Sequence, residues 1–426
     1  MQHKNRADKG TSIEYRIGIT SLLRTTIECV PVNALPRNYF NNMTLFLIIL
    51  CVSSFAYLAA TLFLYNGLKR LHALIPQPHP TLTFSVVIAA HDEEQNIGDC
   101  LKSVLGQTIE RCRYEVIVVD DRSTDRTGEI ARSFLHECPN LSIITITQTP
   151  PGISPKKHAV AQGIALACNE IIVFTDADCR VQPTWLASLS ACFGPDVGLV
   201  QGITNYVYVQ GMNNMFFNLQ AIDFLSHGIV AAAAIGARFP LNSNANNLAF
   251  RKAAFDAVGG YGAAQSVVSG DDDLLVQRIS KSKAWTIRFM TDFRGAVETL
   301  PAPTLKALFE QRKRWGSKTV HYNVRQMFFL SFIFCFYCLL IVCFLFCFYK
   351  AALLPVFGYL FLIKLLGEVI LMAPGTGLFG KKRLRPFLIP ASFLQLPLVV
   401  CSVVLGVFGK FGWKGQTFKR TMKSNL

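Results

Sequence analysis

Three acidic signatures and one basic–aromatic signature occur in a fixed order along the chain: VVDDRSTD (118–125), FTDADCR (174–180), SGDDDLL (269–275) and QRKRW (311–315). Asp176 and Asp178, two residues apart, can place at least one carboxylate on a divalent cation. Mg²⁺ and Mn²⁺ take such oxygen ligands and leave room for a substrate's phosphates, and a cation there stabilises a departing diphosphate. Asp120 and Asp121 can accept hydrogen bonds from a pyrimidine or a ribose, and Lys156 or Lys157 can reach a phosphate. Asp271, Asp272 and Asp273 crowd like charges, which raise one another's pKa, a property suited to a general base. Each signature alone has a plainer explanation. Asp-x-Asp is common in solvated loops, acidic residues cap helices, and a basic–aromatic cluster can simply anchor at a membrane surface. Occurring together and in order, they favour transfer of a sugar from an activated nucleotide.

These side chains need a scaffold, and the hydrophobic pattern supplies one. Strands are expected at 84–90, 114–119, 141–147 and 171–175, alternating with helices at 96–105, 127–137 and 157–167. The run at 84–90 is continuously apolar, as in a strand buried on both faces. Such alternation predicts an α/β fold with a mostly parallel sheet and helices on both sides. Ligands of open sheets gather at the carboxyl ends of the strands. Here those ends are His91-Asp92-Glu93, Asp120-Asp121 and Asp176-Ala177-Asp178.

The rest of the chain points to a membrane. Of its 426 residues 51% are hydrophobic and only 16% charged, too apolar for an ordinary soluble protein. Uncharged runs at 44–65 and 328–349 are each long enough to cross ~30 Å of hydrocarbon as a helix. The segments 351–374 and 387–409 are further candidates; Pro386, Pro390 and Pro397 are expected to break the last into a re-entrant or interfacial hairpin. Lys364 and Glu368, four apart, can pair on one helix face. The net charge of +15 clusters beside the apolar runs, at Lys69 and Arg70, at Arg312, Lys313, Arg314 and Lys318, and at 381–385 and 410–423. That pattern indicates adhesion to anionic lipid rather than nucleic acid. The 13 scattered cysteines suit free thiols. The expected organisation is an N-terminal extension at 1–42, a transmembrane helix at 43–67 and a proline-containing linker near 74–83. A globular domain at 82–325 follows and includes an interfacial helix at 303–318. Transmembrane or re-entrant helices at 328–409 and a basic tail at 410–426 complete the chain.

Taken together, the signatures resemble those of the membrane-bound inverting glycosyltransferases of family 2, a group that includes cellulose, hyaluronan and chitin synthases and ceramide glucosyltransferases. The resemblance covers about 82–325 and opens with SVVIAAHDEEQNI (85–97). It includes NNLAFRKAAFDAVGGY (246–261) and closes on Gln311, Arg314 and Trp315; Trp413-Lys414-Gly415 is similar to a common ending. The resemblance implies a GT-A fold, with Rossmann-like topology, facing the cytoplasm and flanked by transmembrane helices. It implies that Asp121, with Asp120, binds uridine, that Asp176 faces the ribose or diphosphate, and that Asp178 ligates the metal. Asp272 becomes the catalytic base, with Asp273 as the off-by-one alternative, and Asp271 takes the place of the usual Glu. Gln311 and Arg314 would contact diphosphate or acceptor, and Trp315 would stack on the acceptor. Three departures stand out: Gly270-Asp271-Asp272 replaces Thr-Glu-Asp, Ala245 replaces a glycine, and Pro155-Lys156 replaces Gly-Lys, which leaves the role of Lys156 open.

The function so implied is metal-dependent, inverting transfer of a hexose or N-acetylhexosamine from a UDP-sugar to a lipid or saccharide acceptor, with Mg²⁺ or Mn²⁺ as the cation. The enzyme would be integral to the inner or plasma membrane, in contact with its lipids. A processive polysaccharide synthase and a nucleotide-sensing pseudoenzyme are the competing readings.

Overall fold

The computed structural model describes residues 37–72, 81–267, 270, 272–413 and 416–419. Most of the extension expected at 1–42, the prolines of the linker, Asp271 and much of the basic tail lie outside the described residues. The chain forms two units, Met1–Val52 and Ser53–Leu426. The described part of the first, 37–52, is helical and belongs to α1 (Arg37–His72).

The second unit carries the sheet. Its first half runs β1 (Phe84–Ala90), α2 (Ile97–Leu105), β2 (Tyr114–Asp121), α3 (Thr127–Ser133), β3 (Leu141–Ile146), α4 (Pro155–Leu166) and β4 (Ile171–Phe174). β1 pairs in parallel with β2 and β4, and β2 with β3. This is the expected alternation, with α3 ending four residues early. The apolar run of β1 is buried on both faces because helices cover each. Phe84, Val86 and Ile88 pack with Ile97, Leu101 and Val104 of α2, while Val87 packs with Ala159, Val160 and Ile164 of α4. Each of these valine, leucine, isoleucine and phenylalanine side chains, fully buried, contributes roughly 1.5–3 kcal/mol.

Beyond β4 the pattern changes. β5 (Arg180–Val181), α5 (Trp185–Ser190), β6 (Val197–Gln201), β7 (Thr204–Tyr206), α6 (Asn214–Gly236), β8 (Leu248–Arg251), α7 (Lys252–Ala257), α8 (Asp273–Ser282), β9 (Thr286–Phe289) and β10 (Val297–Thr299) follow. The large sheet has the order β3-β2-β1-β4-β8-β6-β9, with β8 antiparallel to both β4 and β6. The small sheet is β5-β10-β7. Short apolar runs of four or five residues do not reveal their direction, or even their type, by periodicity, so this half was not anticipated.

α9 (Leu305–Ser317), α10 (Val324–Tyr349), α11 (Leu354–Leu378) and α12 (Leu388–Phe408) complete the helices, and β11 (Lys410–Trp413) pairs with β12 (Gln416–Lys419). Among the described residues, five helices are long and apolar enough to cross a membrane: those at Ile48–Leu71, Asn214–Gly236, Val324–Tyr349, Ala351–Leu378 and Lys382–Phe408. α6 is the unexpected one. It is less apolar than the rest and lies deep in a core formed with Leu64, Leu68, Leu371 and Met372.

α12 is one helix, contrary to the expected break. Pro386 precedes it and Pro390 sits in its first turn, where no intrahelical N–H is needed. Only Pro397 interrupts its interior. α9 lies against α12 with almost no side-chain layer between them. A Cβ added at Gly316 would sit 2.7 Å from Ser402 O, and one added at Gly406 would sit 2.4 Å from Lys313 O. Gly406→Val is therefore expected to cost about 1–3 kcal/mol through overpacking, read as a lowered thermal midpoint in detergent. Gly358→Ala, where an added Cβ meets nothing within 4 Å, should not lower the midpoint, since alanine favours the helix over glycine. Equal midpoints for the two variants would remove the crossing as a packing constraint.

Candidate active site

One cleft of about 430 Å³ opens where the carboxyl end of β4 faces α6, α9 and α12. Lys156, Asp176, Asp178, Asp272, Gln311, Arg314 and Trp315 all line it, although they come from separate parts of the chain. Asp120 and Asp121 are not in its wall. They end β2, in register with Ala90 and Ile146 of the flanking strands. Asp121 is paired with Arg122 at 2.8 and 3.1 Å, and its carbonyl oxygen lies 2.6 Å from His91 Nδ1. Asp120 is buried, and its Oδ1 has no hydrogen-bond partner among the described residues.

The Asp-x-Asp pair sits in the turn after β4. Lys156 Nζ donates to Asp176 Oδ1 at 2.8 Å. Pro155 opens α4, a position where proline loses no hydrogen bond; it replaces the glycine without removing the lysine from the cleft. Lys157 does something else: it is buried and donates to Val267 O at 2.7 Å, pinning the loop that precedes the acidic triplet. The Asp178 carboxyl is pushed up to about 6, chiefly by burial, then by the charges of Asp176 and Glu93. A half-buried carboxylate held beside others is a place where a divalent cation is favourable. Among the described residues no three metal-ligating side chains converge. The donor set therefore fits a cation held by one or two carboxylates, with phosphate oxygens and water completing its shell.

At the far wall, Asp272 caps α8 and is oriented by two backbone amides: Asp273 N to Oδ1 at 2.7 Å and Ala245 N to Oδ2 at 3.0 Å. Capping and display to the cleft thus coexist. Asp273 is spent on structure. Its carboxylate accepts from Ser243 N, from Tyr322 Oη at 3.0 Å and from Lys318. Burial, then the Asp273 charge, holds the Tyr322 hydroxyl well above the usual phenol range.

The sequence assigned Arg312 and Lys318 to membrane adhesion, and the structure places both inside. Lys318 lies between Asp272, at 3.6 Å, and Asp273. Arg312 is 4% exposed and bonded to Asp223 of α6 at 2.5 and 3.0 Å. Thr304 caps α9, and the helical spacing of four puts Leu308, Arg312 and Gly316 on its buried face. Arg312 also donates to Gln311 Oε1 at 2.8 Å and stands 4.2 Å over the Trp315 ring. The indole is further flanked by Phe224 and His227, with ring centroids at 5.9 and 5.5 Å. One face of Trp315 is thus taken by Arg312, which narrows its expected stacking role to what remains open to the cleft. Sequence reasoning missed Asp223, His227 and Tyr322. Their one signal was an acid and a histidine four apart in an apolar helix.

A family model described as glycosyl transferase family 21 matches residues 45–421; the resemblance drawn from the motifs was to family 2. The glycosyltransferase AglE of Haloferax volcanii is 34% identical over 158 residues, 35% of this chain and 51% of that protein. A beta-monoglucosyldiacylglycerol synthase of Nostoc sp. is 28% identical over 236 residues, 54% of this chain and 48% of that one. The chain spans about half the length of the curated relatives it matches. Among solved structures, the mannosyltransferase PcManGT from Pyrobaculum calidifontis in complex with GDP-Man and Mn²⁺ aligns with 84% of this chain and 98% of that chain, at a TM-score of 0.55 and 18% identity. That likeness shows the fold, a GT-A-like arrangement around a mostly parallel sheet.

Proposed function

The chain belongs to glycosyl transferase family 21, and from that premise we propose that it transfers a hexose or N-acetylhexosamine from a UDP-sugar to a membrane lipid, with inversion and with a divalent cation. The observation that carries the reading is the shared cleft: Asp178, Asp272 and Arg314 face one space, and a wall of that space belongs to the apolar helix α12. A lipid acceptor enters such a wall more readily than a free saccharide does. The diacylglycerol in the name of the Nostoc relative agrees with this. The membrane helices would hold the catalytic unit at the cytoplasmic face of the cell or inner membrane.

In the proposed reaction, Asp272 accepts the proton of the acceptor hydroxyl. The freed oxygen attacks the anomeric carbon, the bond to the diphosphate breaks, and the configuration inverts. The two backbone amides on Asp272 fix its carboxylate for that approach. The buried, threefold-bonded carboxylate of Asp273 supports Asp272 over it in this role. Arg314, and Lys156 if it exchanges Asp176 for a phosphate, hold the diphosphate. Asp178, with Asp176, would hold the cation, whose chemistry is to neutralise charge on the leaving diphosphate. Asp120 and Asp121 would receive the uridine at the end of β2, and Gln311 would contact the diphosphate or acceptor.

Purified protein in lipid should release UDP from one donor sugar only when a lipid acceptor is present. Transfer to soluble saccharides alone would overturn the lipid reading. Asp178→Ala should lose the gain in UDP affinity that Mn²⁺ gives the unaltered protein, measured by titrating UDP with and without the metal. An undiminished metal effect would remove Asp178 from the cation site.

A further inference from the structure

Gln395 of α12 occupies a part of the cleft wall that the proposed chemistry does not use, with Leu398 and Val399 of the same helix and Leu330 of α10. Behind it lies a polar network sealed among apolar helices. Lys364 of α11 has no exposed surface. It pairs with Glu368 one turn on, and it donates to Ser392 O at 3.1 Å and to Gln395 Oε1 at 3.2 Å. Tyr337 of α10 donates to the same Oε1 at 3.2 Å, and Ser392 Oγ donates to Glu368.

This network decides which end of the carboxamide faces inward. An ammonium has three donors and no lone pair, and the three acceptors of Lys364 are Glu368, Ser392 O and Gln395 Oε1. The amide oxygen must therefore face Lys364, and the NH₂ on the opposite arm is presented to the cleft. No described residue accepts from it. A donor set among leucines and valines is costly when it goes unmet, so a ligand filling this wall must bring an acceptor. The ion pair behind Gln395 is neutral overall, so the matching group is neutral too. A hydroxyl would bring a proton that needs a further acceptor of its own. A carbonyl accepts only.

We infer that Gln395 is a specificity residue of the acceptor subsite: its amide nitrogen donates to a carbonyl oxygen in the neutral polar neck of a lipid acceptor, whose apolar body lies along Leu330, Leu398 and Val399. Lys364 is then a positioning residue, acting through the orientation of the carboxamide. The inference rests on the lipid-acceptor reading of this cleft.

The test uses the full chain in phosphatidylcholine vesicles, with three acceptor probes in separate arms. These are 1,2-dioleoylglycerol, its diether counterpart 1,2-di-O-oleylglycerol, and N-oleoylethanolamine. The unaltered protein should show an acceptor KM about 3- to 10-fold lower for a carbonyl-bearing probe than for the diether, the effect of one neutral hydrogen bond. Gln395→Leu should abolish that difference without moving the KM of the nucleotide sugar. Gln395→Met keeps the length of the side chain and removes the amide without adding a charge or an O–H donor. It should behave like the leucine variant, and it carries the test if that variant does not fold. A carbonyl preference that survives in the methionine variant, or that is missing from the unaltered protein, overturns the inference alone. Glycosylation of soluble saccharides with transfer to none of the three lipids overturns the lipid-acceptor reading and this inference with it.

Discussion

Asp272→Asn is expected to lower kcat by about 10²- to 10⁴-fold, the span ordinarily lost with a general base, while UDP binding measured by calorimetry stays close to that of the unaltered protein. Asparagine keeps the shape and one acceptor for the two amides that orient the side chain, so the loss would report on proton transfer rather than on a displaced loop. Asp273→Asn supplies the contrast. Its carboxylate is held by Ser243 N, Tyr322 and Lys318, and its loss should appear first as lowered thermal stability. Full turnover in Asp272→Asn, together with a folded but inactive Asp273→Asn, would transfer the base to Asp273.

Asp223→Ala should destabilise the protein by about 3–5 kcal/mol, because it strands the Arg312 guanidinium in a site almost without solvent. The damage would not stop at stability. Arg312 also holds Gln311 and covers one face of Trp315, so an unpartnered guanidinium would disturb two groups lining the cleft. Replacing the pair together, as Asp223→Leu with Arg312→Met, removes the uncompensated charge and should return most of the lost stability. Activity should stay low in that double variant, because the support of Gln311 and Trp315 is not rebuilt. Recovery of both properties would mean that the ion pair serves packing alone.

How far the sequence alone reached follows from the range of each interaction. The β1 to β4 alternation was readable because each element carries its own period and ends on its own acids, as at Asp120-Asp121 and Asp176-Ala177-Asp178. The antiparallel half was not, since β8 and β6 are runs of four and five residues with no local mark of direction. The motif residues Lys156, Asp176, Asp178, Asp272, Gln311, Arg314 and Trp315 do share a cleft, whereas Asp120 and Asp121 stand outside its wall. The support of that cleft was invisible: Arg312 meets a partner 89 residues away. Local charge patterning placed Arg312 and Lys318 in a lipid-facing cluster, because a basic stretch beside an apolar run looks the same whether its charges meet phosphates of the bilayer or carboxylates of the protein. Proline patterning misled for a related reason. Two of the three prolines around α12 fall where a helix tolerates them.

The order in which the walls are made has a consequence during synthesis. The sheet is finished once β9 has emerged at Phe289, yet one side of the cleft waits for residues 395–403 of α12. A nascent chain therefore carries every strand of the large sheet before it carries the α12 wall of the cleft.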